Sequence, residues 1–128
     1  MLNRSGISKT TLTATKQILA NVELQSSVGC VVPQILGVEV GGKKIAKAGT
    51  PIKVNLMNRN VVVEKADGTK AMNAVLLHDV DVTAGNANGT ALVFGFVNVN
   101  RVDSDVAQAI TTALSATGAS NLITFMKV

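Results

Sequence analysis

Residues 74–97 read AVLLHDVDVTAGNANGTALVFGFV, and this stretch decides the fold class of the chain. Two apolar runs rich in β-branched residues flank a segment that contains Gly85, Asn86, Asn88 and Gly89. These four residue types favour turns, whereas the flanking runs favour strands. The stretch therefore predicts a β-hairpin with a wide polar loop. Gly95 interrupts the second run and predicts a bulge or a close backbone approach there.

Short β-like runs separated by Gly, Asn and Pro lie on both sides of this hairpin. The pair Gly41-Gly42 predicts a tight two-residue turn, and Asp67-Gly68 predicts another turn. A Pro next to the third run is typical of an edge strand. The runs cover residues 28–32, 35–40, 52–56, 61–63 and 122–128.

One helix is predicted late in the chain, at about residues 105–117. Ser104 or Asp105 can accept hydrogen bonds from the N–H groups of its first turn, and Gly118 can end it in a left-handed conformation. The apolar residues at the 3.6-residue spacing of one helical face are Val106, Ile110, Ala113 and Leu114.

Together these elements predict a mostly β fold, a small antiparallel β-sandwich or barrel-like domain with one late α-helix. The domain is expected to cover residues 28–128. Residues 1–27 are polar and rich in Ser and Thr. We expect them to form an extended N-terminal arm or a marginal helix that is ordered against a partner.

The composition excludes several classes of partner. The 128 residues are 47% hydrophobic but contain no run of about 18 apolar residues, so no membrane partner is expected. We expect the apolar surplus to be buried between subunits. The lysines behind the +4 charge are scattered, which does not favour nucleic-acid binding. The first residues lack the apolar core of a secretory signal, so synthesis in a cytoplasm is expected.

The only cluster of residues that could carry chemistry is His78, Asp79 and Asp81. On a strand the two carboxylates share one face and His78 projects from the other, which separates a His–Asp catalytic pair. A calcium loop counted from Asp79 would need Gly at position 84 and Glu at position 90, where Ala84 and Thr90 stand. We therefore predict no enzyme, with no catalytic, metal or cofactor-binding residue. We expect both aspartates on a solvated or inter-subunit face and His78 in a strand with a hydrogen-bond partner.

Two further features also favour structural roles. The segment 85–89 has two glycines but no following Lys-Ser or Lys-Thr, so a turn is a better interpretation than a phosphate-binding loop. Cys30 is the single cysteine, which excludes an intrachain disulfide. Its apolar surroundings in the sequence predict a small core residue.

The motifs at residues 74–82, AVLLHDVDV, at residues 85–88, GNAN, and at residues 92–98, LVFGFVN, resemble tailed-bacteriophage capsid decoration and head fiber proteins. The upstream motif IAKAGTPI at residues 45–52 is similar to a stretch that often precedes them in that group. The resemblance covers residues 45–102. It implies a homotrimer on the outer capsid surface, at or near three-fold positions, bound to the major capsid protein and without catalytic residues.

We therefore expect a non-enzymatic virion structural protein, made in the host cytoplasm, that reinforces or decorates a capsid. In this interpretation residues 1–27 contact the major capsid protein by strand addition. The alternative is a carbohydrate- or surface-binding β module whose Asn-rich loop contacts a host-surface glycan, although aromatic residues are only 2% of the chain. A calcium-dependent enzyme or accessory domain built on Asp79 and Asp81 and the major capsid protein itself are further alternatives.

Overall fold

Nine strands, one α-helix and two short 3-10 helices make up the fold in a computed structural model that describes residues 17–20 and 25–127. The strands are β1 (Ser26–Val32), β2 (Val38–Val40), β3 (Lys43–Ala46), β4 (Pro51–Lys53), β5 (Glu64–Lys65), β6 (Ala74–Leu76), β7 (Val80–Asp81), β8 (Ala87–Asn98) and β9 (Ile123–Met126). The helix α1 is Ser104–Leu114, and the 3-10 helices are Gln34–Leu36 and Val99–Arg101.

Two sheets organise the strands. The larger has the order β1-β8-β6-β4-β5, all antiparallel, and β9 adds to β8 in the parallel direction. The smaller has the order β2-β3-β7. The N–H of Val63 donates to the carbonyl of Val31 at 3.0 Å, which brings the β5 end of the larger sheet back to β1. The predicted fold class, mostly β with one late helix, is confirmed.

The hairpin predicted at residues 74–97 is correct only in part. β6 pairs with β8 through Val75 and Leu92, as a hairpin requires. The chain then bends at residues 77–79, and β7 pairs with β3 in the other sheet. Asn88 and Gly89 are not part of the turn, because they already belong to β8 and pair with β1. The turn itself covers only residues 83–86.

β6 and the residues of β8 that pair with it are buried on both faces. Successive side chains in a strand point to opposite sides. On the inner face, Leu76 and Ala91 belong to the inner cluster; on the outer face, Val75 and Leu92 belong to the outer cluster. The inner cluster consists of Cys30, Val32, Leu36, Ala46, Ile52, Val54, Val63, Ala74, Leu76, Val80, Val82 and Ala91. The outer cluster consists of Ile18, Leu19, Ala48, Ala66, Met72, Val75, Leu77, Leu92, Val97, Ala113 and Ile123.

The predicted turns and bulge agree with the structure. Gly41 and Gly42 have φ angles of +56° and +84° and join β2 to β3 with Val40 opposite Lys43. Only residues that tolerate positive φ form this turn. The pairing of β8 with β1 shifts by one residue close to Gly95, the predicted bulge residue: Ser27 lies opposite Leu92, but Ser26 lies opposite Phe94. Asp67 accepts the N–H groups of Thr69 and Lys70, which forms the predicted turn.

Two strand predictions are wrong in detail. The run at residues 52–56 is not an edge strand, because β4 lies between β5 and β6 and its Ile52 is fully buried. The run at residues 61–63 forms no strand; Val62 makes an isolated bridge with Val31, and β5 begins only at Glu64.

The helix is shorter than predicted, and its cap position differs. It ends at Leu114, so residues 115–117 lie beyond it, and Gly118 adopts its left-handed φ of +88° in the following turn. The N-cap position is Asp103 rather than Ser104 or Asp105. Of the four residues on the predicted apolar face, Val106, Ile110 and Ala113 are buried, and Leu114 is exposed.

The boundary predicted between arm and domain at residue 27 lies inside β1, which begins at Ser26. Residues 17–20 also belong to the folded domain: Ile18 and Leu19 are buried, and the N–H of Ala20 donates to the carbonyl of Phe96 at 2.9 Å. The prediction of an extended arm otherwise concerns residues 1–16 and 21–24, which lie outside the described residues.

Candidate functional site

The carboxylates of Asp79 and Asp81 are both used for local hydrogen bonds. Asp79 Oδ1 accepts the N–H of Ala48 at 2.7 Å, which holds the β3–β4 loop against the bend after β6. Asp81 Oδ1 accepts the N–H of Thr83 at 2.9 Å, and hydrogen bonds from the hydroxyl and backbone of Thr83 lower the pKa of Asp81. Within the described ranges no three His, Cys, Asp or Glu side chains are grouped as a metal site would require.

His78 differs from its prediction. It lies in the bend between β6 and β7 rather than in a strand, and its side chain is half-buried. Its Nδ1 atom is buried and has no hydrogen-bond partner among the described residues. The prediction that His78 lies in a strand is therefore wrong, because the bend at residues 77–79 removes the strand alternation on which it rested. Its hydrogen-bond partner stays a prediction.

The Asn-rich loop contacts the chain itself. Asn86 Oδ1 accepts the N–H of Gln34 at 3.0 Å, and the side chain of Gln34 donates to the carbonyl of Thr83 at 3.0 Å. Thr83 Oγ1 accepts the N–H of Lys44 at 2.8 Å. These bonds connect the turn at residues 83–86 to the first 3-10 helix and to β3.

Cys30 is buried in the inner cluster, and this burial raises the pKa of its thiol. A raised pKa leaves less of the nucleophilic thiolate at neutral pH. The prediction that Cys30 is a small core residue is confirmed by its burial.

An ionic cluster that was not predicted joins the β3–β4 loop to the start of α1. Lys47 Nζ lies 3.2 Å from Asp103 Oδ2 and 3.1 Å from Asp105 Oδ2. Hydrogen bonds to Asp105 and then Asp103 raise the pKa of Lys47, so it remains a cation and is a poor nucleophile. No sequence pattern connects these residues, which lie more than fifty positions apart; the arrangement of the fold alone brings them together. The cluster fixes the orientation of the helix.

The loop at residues 55–62 exposes apolar side chains to an unusual degree. The side chain of Met57 is 95% exposed. We define the apolar loop surface by the exposed members of this loop, Leu56, Met57, Val61 and Val62.

Asparagine side chains hold this loop in shape. Asn55 Oδ1 accepts the N–H groups of Met57 and Asn58, both at 3.1 Å, and Asn58 Oδ1 accepts the N–H of Asn60 at 3.2 Å. Asn73 pairs with both backbone groups of Val54 at 2.8 Å and fixes the start of the loop. Such side-chain bonds replace regular secondary structure in a turn. The loop therefore presents Met57 in a defined position.

A groove of about 600 Å³ lies beside this loop. Its floor is formed by residues 29–31 of β1 together with Asn88 and Gly89 of β8, and its wall by residues 56–60. Among the lining residues that the structure describes, Arg59 is the one with a charged side chain. Neither the loop nor the groove was predicted from the sequence. The pattern that could have indicated an exposed apolar loop is Leu56-Met57 with asparagines on both sides.

Other large apolar side chains are exposed away from the loop. Ile35 in the first 3-10 helix is 88% exposed. Phe94 in β8 and Leu122 before β9 are also exposed. Single exposed apolar residues are common in proteins.

No helix in the described part of the chain combines the length and hydropathy that crossing a bilayer demands. Comparison of the chain with protein-family models, with curated proteins and with solved structures finds no match.

Proposed function

We propose that this chain is a non-enzymatic structural protein that binds the outer surface of a bacteriophage capsid as a homotrimer. The observation that carries the proposal is the apolar loop surface, where a hydrogen-bonded loop holds Met57 almost fully in solvent. A side chain of this kind gains free energy when a partner removes it from water, at roughly 25 cal/mol per Å². A contact surface is therefore a better explanation of this loop than a catalytic site.

The resemblance of residues 45–102 to capsid decoration proteins adds the identity of the partner. That range contains the loop and the β6–β8 pairing. Subunits of a trimer would cover some of the exposed apolar side chains, and the major capsid protein would cover others. Several modest contacts in one trimer then combine through avidity.

Two measurements test the proposal. Sedimentation equilibrium should give about three times the 13.2 kDa chain mass, and the purified protein should co-sediment with undecorated capsids. Met57→Ser should weaken at least one of these associations, because it removes the most exposed apolar side chain. Its matched control is Thr111→Ser, a change on the exposed face of α1. A folded monomer, or a trimer that leaves the capsids bare, would overturn the proposal.

A test of the N-terminal segment needs a deletion that is shorter than the predicted arm, residues 1–27. Removal of residues 1–27 would also remove Ile18 and Leu19 from the outer cluster and the start of β1. Removal of residues 1–16 keeps both. If this segment contacts the capsid, the shortened chain should form trimers but bind capsids less; unchanged capsid binding would refute that role.

A further inference from the structure

The outer edge of β1 is open for part of its length. β1 pairs with β8 along one edge, and on the other edge the carbonyl of Val31 accepts the N–H of Val63. Backbone groups of alternate residues in a strand point to the same edge. Those of Ser27 and Gly29 therefore point the same way as those of Val31. The described part of the chain supplies no backbone partner for them on this edge.

This edge has none of the usual protection against further pairing. The sequence of β1, SSVGCVV, contains no charged residue and no proline. Exposed edge strands normally carry such residues because they prevent the addition of another strand. The face of β1 is also open at Gly29, with no atom within 4 Å of the position that a Cβ would take. An added strand would continue the pairing that Val63 begins.

The groove beside the edge gives an added strand a place for its side chains. Residues 29–31 form part of its floor, and Leu56 and Met57 form part of its wall. In an extended segment every second side chain points to the same side. Apolar side chains at that spacing would contact Leu56 and Met57, and the backbone would pair with Ser27 and Gly29.

We propose that the β1 edge and this groove bind an extended apolar segment of another protein by strand addition, with acidic rather than basic residues beside the apolar ones. Arg59, the charged residue of the groove, favours an acidic segment. Residues 1–16 of this chain fit less well, because they contain Arg4, Lys9 and Lys16 and no acidic residue. The proposal does not depend on capsid binding, since the chemistry of the segment and not its source determines the fit.

A selection experiment with a matched pair of variants tests this binding site. A library of displayed random dodecapeptides is selected on the full-length wild-type chain. We expect the enriched peptides to alternate apolar residues, to lack proline and to contain more Asp and Glu than Lys and Arg. On binding of a synthesised peptide, the amides of Ser27 and Gly29 should become protected from hydrogen exchange.

Gly29→Pro removes the N–H that the incoming strand would use, and an edge position tolerates proline. Gly29→Ala keeps that N–H and adds only a methyl group in open space. We expect Gly29→Pro to weaken peptide binding about tenfold or more, the effect of losing one backbone hydrogen bond, and Gly29→Ala to change it little. If Gly29→Pro does not fold, Gly29→Glu replaces it, because a negative charge at the edge repels an acidic segment and opposes strand addition.

The proposal is overturned if no peptide class is enriched, if the enriched peptides are basic, or if they bind the proline and alanine variants equally. It is also overturned if wild-type chains associate with each other and Gly29→Pro alone disperses them, because the occupant is then a second copy. The capsid proposal is judged separately by co-sedimentation of Gly29→Ala, which retains the edge.

Discussion

Leu92 in β8 and Met57 in the apolar loop surface are both large apolar side chains, yet Leu92 is fully buried and Met57 is 95% exposed. Leu92 lies where β8 is flanked by β1 and β6 and packed on both faces. Met57 lies where asparagine side chains and not strand partners hold the backbone. At these two positions the neighbouring strands, and not the hydropathy of the side chain, make the difference.

The largest expected effect is at the centre of the buried pair of strands. Leu92→Ala should lower the free energy of unfolding by about 3 kcal/mol, because it leaves a cavity in a fully packed site. Urea denaturation measures this effect. A loss below about 1 kcal/mol would mean that the outer cluster repacks around the cavity and that β8 is less constrained than its two buried faces indicate.

A comparison of two glycines with positive φ distinguishes the cost of a steric clash from the cost of backbone strain. Gly49 has a φ of +92°, and a Cβ there would lie 2.7 Å from Val102 Cγ1. Gly41 has a φ of +56° and nothing within 4 Å of that position. We expect Gly49→Ala to cost about 2 kcal/mol or more, and Gly41→Ala about 1 kcal/mol from its backbone alone. Equal melting temperatures for the two variants would contradict this order.

The ionic cluster around Lys47 is expected to make a small contribution to the free energy of unfolding. Lys47→Met removes the cation between Asp103 and Asp105 and should cost about 0.5–1 kcal/mol, as expected for largely exposed carboxylates. The fold raises the pKa of Lys47. Its contribution is therefore complete below the unfolded value of about 10.4 and is lost as the pH rises through the folded value. Urea denaturation of both proteins should thus show a constant difference near neutral pH; a difference that grows with alkaline pH would contradict the sign.

Asp67, in the turn before β6, should have a smaller effect on the free energy of unfolding, and its pH dependence should be limited to acidic pH. Hydrogen bonds from the N–H groups of Thr69 and Lys70 lower the pKa of Asp67. Its contribution to stability is present above the unfolded value of about 3.9 and is lost as the pH falls through the folded value. Between about pH 5 and pH 2, Asp67→Asn should therefore lose less stability than the wild type. Asp67→Ala, which removes the acceptor as well, is the control and should be less stable at neutral pH.

The smallest effect on stability is expected at the exposed member of the comparison. Met57→Ser should change the free energy of unfolding by no more than about 0.5 kcal/mol, because the side chain is in solvent in the isolated chain. Urea denaturation at low protein concentration measures it. A loss close to that of Leu92→Ala would show that Met57 is buried in the protein as it exists in solution.

The parts of the fold that depend on local signals could be predicted from the sequence. The turn at Gly41-Gly42 needs two residues with positive φ, and α1 needs a 3.6-residue apolar repeat. Both features are encoded within a few neighbouring residues. β1 was predicted for the same reason, although it begins two residues earlier than expected.

The rest depends on contacts between distant segments. The run at residues 74–82 has the composition of one strand, but Asp79 accepts the N–H of Ala48, and β7 pairs with β3. Those tertiary bonds break the strand and move His78 out of the alternation. The groove could not be predicted either, because it exists only where the loop at residues 56–60 approaches β1. Sequence patterns within single segments do not show that this loop lies next to β1.

The long strand β8 has a consequence for the rate of folding. Its residues 87–94 pair with β1, so that Cys30 lies opposite Gly89, about sixty residues away along the chain. Both clusters need β8, and neither is complete until this distant pairing has formed. Closing such a long loop costs entropy before any contact repays it, so proteins of this topology fold in milliseconds to seconds rather than microseconds. Because β8 is the centre of the native structure, we expect its pairing with β1 to form slowly and both clusters to wait for it.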